Sequence, residues 1–443
     1  MADMIKSNNG LFKYNYPLIV SVFCLGGFAL CLIAFYPGYM SVDSIVQYES
    51  ALSGVYSDWH PPIMSLVWGV VANFKQGPES LLVLHLAVLW LALALITIRL
   101  RKFRASTLVC LLGVLPWVIN FSGVLWKDIG GAYALLACIA ILTGKPNWKN
   151  LCAFFLLIFY ASNVRHNMLV PAVPLCFFAF RYWNDLPNRH AVLYTLVVIL
   201  AIKFCGNIIN YQVLDAEKTY PENYMIVDDL AQLSLNQERS LLNGVEFSDI
   251  QDCAEVDING TKTVARHFCL IGKDSYSNNN PLKNSDLKEV WLEAVFDDPL
   301  HYVFYRLDAF GYLMRSPDKS PYFIWLYGGR ENRFSMGYQD NYMTELVRDY
   351  VLKTSNYFPF LFKPYWWLVV TFILIILGLL CKKTYLSKLS VAISISSVLY
   401  LFTYIPAVPM ADFRYIYWSV NATSLSVIFM IIFLLNPTTE NQS

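Results

Sequence analysis

The chain has 443 residues, 56% of them hydrophobic and 16% aromatic, and only 15% charged. Soluble domains run nearer to about a quarter charged, so this composition excludes an ordinary water-soluble globular protein and points to a chain solvated largely by lipid. With 33 Lys and Arg against 32 Asp and Glu, it lacks the concentrated basic surface that nucleic acid requires, and no nucleic-acid partner is expected.

Lys6 and Lys13 precede an apolar run at 16–36, about the ~20 residues needed to cross ~30 Å of hydrocarbon. No small-residue cleavage site follows it, and Tyr36-Pro37-Gly38 is a poor signal-peptidase substrate, so the run is expected to remain as a first span. Further apolar runs lie at about 80–98, 106–123, 129–143, 150–163, 168–182, 191–209, 365–381, 389–408 and 415–435. Several fall short of ~20 residues, as helices packed inside a bundle do. Between about 210 and 363 lies one polar segment that holds most of the acidic residues and the stretch Ser277-Asn278-Asn279-Asn280. Within it, Leu287, Val290, Trp291, Ala294 and Val295 recur at helical spacing and predict an amphipathic helix.

The expected fold is a polytopic α-helical membrane protein of about ten transmembrane helices. Residues 1–209 form an N-terminal bundle, whose first external loop (37–79) carries juxtamembrane helices. A mainly α-helical external domain (210–363) is inserted before the last three spans, and 364–443 form the C-terminal transmembrane helices.

Charge gives the topology. Arg99, Arg101, Lys102 and Arg104, then Lys145 and Lys149, then Arg181 and Arg189, then Lys382, Lys383 and Lys388 belong on the cytoplasmic side. With an internal N-terminus, all of these loops fall inside only if 61–78 does not cross; its apolar part, 61–74, is too short for a comfortable span. The loop 37–60, Trp126-Lys127-Asp128, Arg165-His166-Asn167, the polar domain and Asp412-Phe413-Arg414-Tyr415 then share the external face. Ionisable groups beside spans are expensive unless paired or functional, so their convergence marks a candidate site.

Each member has an ordinary alternative. Asp43, just beyond the first span, is either a general base toward a hydroxyl or, with Ser41, helix-capping chemistry. His60, in Asp58-Trp59-His60-Pro61-Pro62, either meets a phosphate or a metal or is a hydrogen-bonded interfacial histidine. Lys127 and Asp128 read as a boundary pair joined within one helix. Arg165 opposes the charge bias and suits bidentate phosphate binding; His166 and Asn167 add donors, and Asp128 can hold the guanidinium. Asp412 and Arg414 pair with each other, or Arg414 and Tyr415 face the shared cavity. The Gly328-Gly329-Arg330-Glu331-Asn332-Arg333 segment reads as a solvated basic loop.

Of ten cysteines, eight lie in or beside apolar runs, where they behave as small hydrophobes. Cys253 and Cys269 alone fall in the polar domain, so a disulfide between them is expected in an oxidising compartment. No Cys/His spacing suits a structural zinc site, and no metal ligands are assigned.

This pattern resembles the GT-C class of membrane glycosyltransferases. The resemblance rests on an acidic residue in the first external loop (Asp43), the juxtamembrane stretch 57–74, a large external domain late in the chain, and 291–306, with Pro299, Tyr302 and Arg306, which looks like the helix that precedes the last spans in such proteins. More narrowly, the Pro37-Gly38…Asp43-Ser44 loop is similar to phage-borne O-antigen glucosyltransferases that convert bacterial serotype. The resemblance implies an enzyme of the bacterial inner membrane with its site on the periplasmic face. An undecaprenyl-phosphate sugar would be the donor and a lipid-linked or surface glycan the acceptor. The first-loop acid acts as base in that class, which maps onto Asp43. A second acid maps onto Asp58 or Asp128, and Lys127, Arg165 and Arg414 would stabilise the departing phosphate. No cofactor is assigned, and a divalent metal stays open. The competing readings are a lipid-linked sugar flippase, against which no internal symmetry is visible, and an O-antigen polymerase or ligase centred on arginine.

Overall fold

The computed structural model describes residues 2–101, 104–256, 264–315, 323–327, 334, 340–381 and 384–435, excepting the side chains of 2–14 and 104. Among them the chain is helical, with only two isolated β-bridges and no strand. The loop 328–333, with Lys102, Lys382 and Lys383, lies outside the described residues.

The N-terminal half contains α1 (Ala2–Phe35), α2 (Val42–Ser53), α3 (Pro62–Ala72), α4 (Glu79–Arg99), α5 (Leu108–Leu111), α6 (Pro116–Ile119), α7 (Lys127–Leu142), α8 (Trp148–Val164), α9 (Leu169–Phe178) and α10 (Asn188–Ile208). The inserted region contains α11 (Asn223–Gln237), α12 (Phe247–Ala254), α13 (Arg266–Leu270), α14 (Asp274–Asn278), α15 (Leu287–Asp297), α16 (Pro299–Met314) and α17 (Tyr342–Tyr357). The chain then returns to the bundle as α18 (Pro364–Leu380), α19 (Tyr385–Phe402) and α20 (Tyr417–Leu435).

Five segments are long and apolar enough to cross a membrane: Asn15–Phe35, Glu79–Arg99, Asn188–Val213, Tyr385–Phe402 and Phe413–Leu435. Shorter apolar helices are Pro62–Ala72, Ala105–Val114, Trp148–Val164 and Pro364–Leu380. Of the ten expected spans, five thus have full length among the described residues, and the other apolar runs form shorter helices. The expected span at 106–123 is a broken path. Leu115 precedes Pro116 and takes an extended conformation (ψ 139°), so the helical turns before it cannot continue into α6. The stretch 61–74 does hold only the 11-residue α3, about 16 Å long at 1.5 Å per residue.

The inserted region divides into two parts. Ile226, Val227, Leu230, Leu233, Ile250 and Leu287 belong to a core of their own. A disulfide joins Cys253 of α12 to Cys269 of α13. On the far side of this small subdomain, Ala309, Leu313, Trp325, Val347, Val351 and Phe362 pack into the main bundle core. The expected domain 210–363 therefore has an independent core only in its first half. The amphipathic helix at 287–295 is present as α15, with Leu287 and Ala294 buried and Val290 turned outward. It does not run on to residue 306: Asp298, before Pro299, leaves helical geometry (ψ 63°), and α16 begins afresh with the proline in its first turn.

Sidedness is directly measurable. Asn279, in the subdomain, and Pro146, in the α7–α8 loop, are both exposed, and the charge bias puts them on opposite sides. With the eight free thiols replaced, an impermeant maleimide on intact cells is expected to tag Asn279→Cys and to spare Pro146→Cys. Tagging at 146 would overturn the topology.

Candidate functional site

The site begins at the turn after α1. Gly38 has φ +117°, a conformation that side chains disfavour, and a Cβ there would also lie 3.1 Å from Leu125. The turn lays Tyr39 beside Val124: the Tyr39 N–H donates to the Gly123 carbonyl at 2.9 Å, and Leu125 N–H donates to the Tyr39 carbonyl at 3.1 Å. Ser44 Oγ donates to the Leu125 carbonyl and Trp126 Nε1 donates to Ser41 Oγ, both at 2.8 Å. Ser41 and Trp126 are the N-cap residues of α2 and α7. These bonds therefore fasten two helix N-termini side by side, with Asp43 in the first turn of one and Lys127 and Asp128 opening the other.

Arg414 enters from the 3₁₀ turn Phe413–Ile416 that leads into α20. Its Nη1 donates to Asp43 Oδ2 at 2.9 Å. Its Nε lies 3.2 Å from Asp412 Oδ2 as an ionic contact outside hydrogen-bond geometry. Nη2 donates to the Tyr415 hydroxyl at 3.2 Å, and the guanidinium lies 4.8 Å from the Trp126 ring centre and 5.0 Å from that of Tyr415. Tyr415 is shared, because the Arg165 guanidinium lies 4.6 Å from the same ring. Arg165 forms an ion pair with Asp128, its Nε donates to Asn167 Oδ1 at 3.0 Å, and Asn167 in turn donates to Thr403 Oγ1 at 3.1 Å. Lys127 Nζ lies 3.3 Å from His60 Nδ1, and both act electrostatically on Asp43.

Asp43, His60, Lys127, Asp128, Arg165, Asn167, Arg414 and Tyr415 thus form one connected cluster. Two expected members are placed elsewhere. Asp58 accepts from Tyr211 Oη at 2.9 Å and from both the N–H and hydroxyl of Thr219 at 2.7 Å. Its carboxylate fastens the first loop to the chain beyond α10. His166 is exposed at the α8–α9 corner. The expected Lys127–Asp128 pair gives way to separate partners, because neighbours in a helix do not face each other. Asp412 and Arg414 do pair, but Arg414 also reaches Asp43 across the fold. Asp128 is committed to holding Arg165, which leaves Asp43 and Asp412 as the two carboxylates flanking Arg414.

Burial pushes the Asp43 carboxyl up, but Arg414, and behind it His60 and Lys127, outweigh this and hold it below the usual carboxylate value. Burial and then the nearby ammonium of Lys127 push His60 down to about 3, and burial lowers Lys127 itself to about 7. At neutral pH the imidazole is therefore uncharged, Lys127 is only partly charged and Arg414 carries the main effect on Asp43. For Asp412 burial wins over Arg414, and its carboxyl is raised. The two acids beside one guanidinium are therefore pushed in opposite directions, the pattern by which sites separate an acid from a base.

In sequence Trp126 is only the residue before the Lys127–Asp128 pair, Asp412 only a partner for Arg414, and Tyr404 is not singled out; long-range packing makes them walls of the cluster. Among the described residues no group of three or more His, Cys, Asp or Glu side chains gathers as a metal-donor set. No protein-family model, curated protein or solved structure matches this chain.

Proposed function

We propose that this chain is a membrane glycosyltransferase of the GT-C type, moving a sugar from an undecaprenyl-phosphate donor to a hydroxyl of a lipid-linked or surface glycan. The site would lie on the periplasmic face of a bacterial inner membrane. The observation that carries the reading is the Asp43–Arg414 pair, built where two helix N-termini meet at one end of apolar helices. A lipid-linked phosphodiester needs cations for its phosphate, a carboxylate beside the incoming hydroxyl and apolar surface for its tail. Arg414, Arg165 and Lys127 supply the first, and Asp43 the second. An apolar groove of about 580 Å³ between α8 and α10 runs beside the helix that ends at Arg165.

In this mechanism the donor phosphate takes the guanidinium of Arg414 and thereby releases Asp43. The acceptor oxygen bonds to the sugar's anomeric carbon as the bond from that carbon to the phosphate oxygen breaks. The hydroxyl proton passes to Asp43, and the electron pair leaves with the polyprenyl phosphate. Fixed cations oppose the charge that develops there, an electrostatic contribution made without reorganisation.

The central place of Arg414, bridging Asp43 and Asp412, also favours an arginine-centred polymerase or ligase reading. Polyprenyl-phosphate binding to the purified protein tests the donor role. Arg414→Ala is expected to weaken binding by about 1.5–3 kcal/mol, the range for hydrogen bonds to charged groups. Arg414→Lys, which lacks the planar fork, should recover only part of it. Asp43→Asn, with no competing carboxylate, should bind at least as well as the parent. Undiminished binding in Arg414→Ala would remove Arg414 from the donor site.

A further inference from the structure

The outward face of α16 is apolar, although the helix belongs to the polar half of the sequence. Leu300, Val303, Phe304 and Leu307 are exposed along one arc, with Leu300 at 69% and Phe304 at 65%, and Phe296 at the end of α15 is 80% exposed. The four α16 positions follow helical spacing and cover the ~100° width of a stripe that normally meets a core. No core covers it. The charge of α16 is kept off the arc: Arg306 is buried against Asp229 of α11, while exposed His301 and Asp308 lie together at one edge. With 16 residues, α16 is not among the described helices long and apolar enough to cross a membrane.

The neighbours of α16 indicate what covers the face. Its C-terminal residues Ala309, Leu313 and Met314 enter the main bundle core, and the helix packs directly on α18. α18 is itself an apolar helix whose Val369, Phe372, Ile373 and Ile376 are exposed, as side chains solvated by hydrocarbon are. Tyr357 and Phe358, exposed just before α18, supply the aromatic side chains typical of a membrane–water boundary. The apolar arc of α16 therefore belongs to a helix packed on one whose exposed face suits hydrocarbon. A water-exposed patch of this size would be an aggregation liability.

We propose that α16 is an interfacial amphipathic helix, seated with this arc in the acyl chains beside α18, and that it anchors the disulfide-bonded subdomain to the bilayer surface. This needs only a membrane-embedded chain and is independent of the transfer chemistry proposed above. Such helices sit about 5–10 Å into the boundary between headgroups and acyl chains.

Spin labels on the full chain test the proposal, with the eight free thiols replaced and Cys253–Cys269 intact. Leu300→Cys, Phe304→Cys and Leu307→Cys alter exposed positions, and Glu293→Cys, on the exposed polar side of α15, is the water-facing control. In vesicles of phosphatidylethanolamine and phosphatidylglycerol, oxygen is expected to relax the three α16 labels more than a water-soluble nickel complex does, with the order reversed at 293. Nickel access at 304 equal to that at 293 would overturn the proposal. So would labels shielded from both reagents, which would mean that a second copy or another protein surface covers the face.

Discussion

Replacing Asp43 by asparagine is expected to leave the fold and donor binding intact and to lower turnover by at least ~10²-fold, the low end for loss of a general base. The amide keeps the shape of the carboxylate and still offers Arg414 an acceptor, so the change isolates proton acceptance. Arg414 above all holds the Asp43 carboxyl of the free enzyme below its ordinary value, so Asp43 stays ionised there through the neutral range. The kcat/KM profile, which reports the free enzyme, should therefore be flat near neutrality with respect to Asp43 and fall only below about pH 4, the ordinary carboxylate value. The linkage has the same sign. A depressed carboxyl contributes stability above its unfolded value and loses it as pH falls through its folded value. Near-normal turnover in Asp43→Asn would end the assignment and favour the arginine-centred alternative.

Arg165→Ala should destabilise the protein by about 3–5 kcal/mol, because it strands a buried charge. Asp128 is only 1% exposed, and Arg165 is its ion-pair partner. Adding Asp128→Asn to Arg165→Ala removes the stranded charge and should recover part of the loss, measured by thermal unfolding in detergent. A single alanine variant costing less than about 1 kcal/mol would mean that the pair is solvated, as exposed pairs are. Loss of donor binding in the alanine variant therefore cannot by itself assign a phosphate clamp. Arg165→Lys keeps the charge beside Asp128 and discriminates better. Nη1 and Nε of Arg165 are occupied by Asp128 and Asn167, while Nη2 has no hydrogen-bond partner among the described residues. If Nη2 meets the donor, lysine should weaken donor affinity by about 1.5–3 kcal/mol with stability largely kept.

Much of the fold was legible because hydrophobic runs and helices obey the same length rule. The runs at 80–98, 150–163, 191–209 and 365–381 match α4, α8, α10 and α18 to within a few residues. Errors fell where proline acts on the residue before it, at Leu115 and Asp298, since apolar content alone does not register a backbone break. The inserted domain was overextended because α17 is polar enough to look external and the apolar end of α16 is too short to read as part of the bundle, yet their buried residues complete the main core. For the site, sidedness brought Asp43, Lys127, Arg165 and Arg414 to one face, and charge bias can show that much. Which acid meets which base is decided by contacts spanning hundreds of residues, such as Arg414 to Asp43, and no local spacing encodes them. Asp58 shows the converse: it looked like Asp43 in sequence, but Tyr211 and Thr219 engage it in three hydrogen bonds that fasten the first loop.

The most direct test of the transfer reaction uses the purified full-length chain in detergent or vesicles, incubated with a panel of undecaprenyl-phosphate sugars and an acceptor glycan and followed by mass spectrometry. Consumption of one donor, with undecaprenyl phosphate released and one sugar added to the acceptor, is the predicted result, and it should vanish in Asp43→Asn. Donors left intact across the panel, or consumption that persists unchanged in Asp43→Asn, would contradict the account.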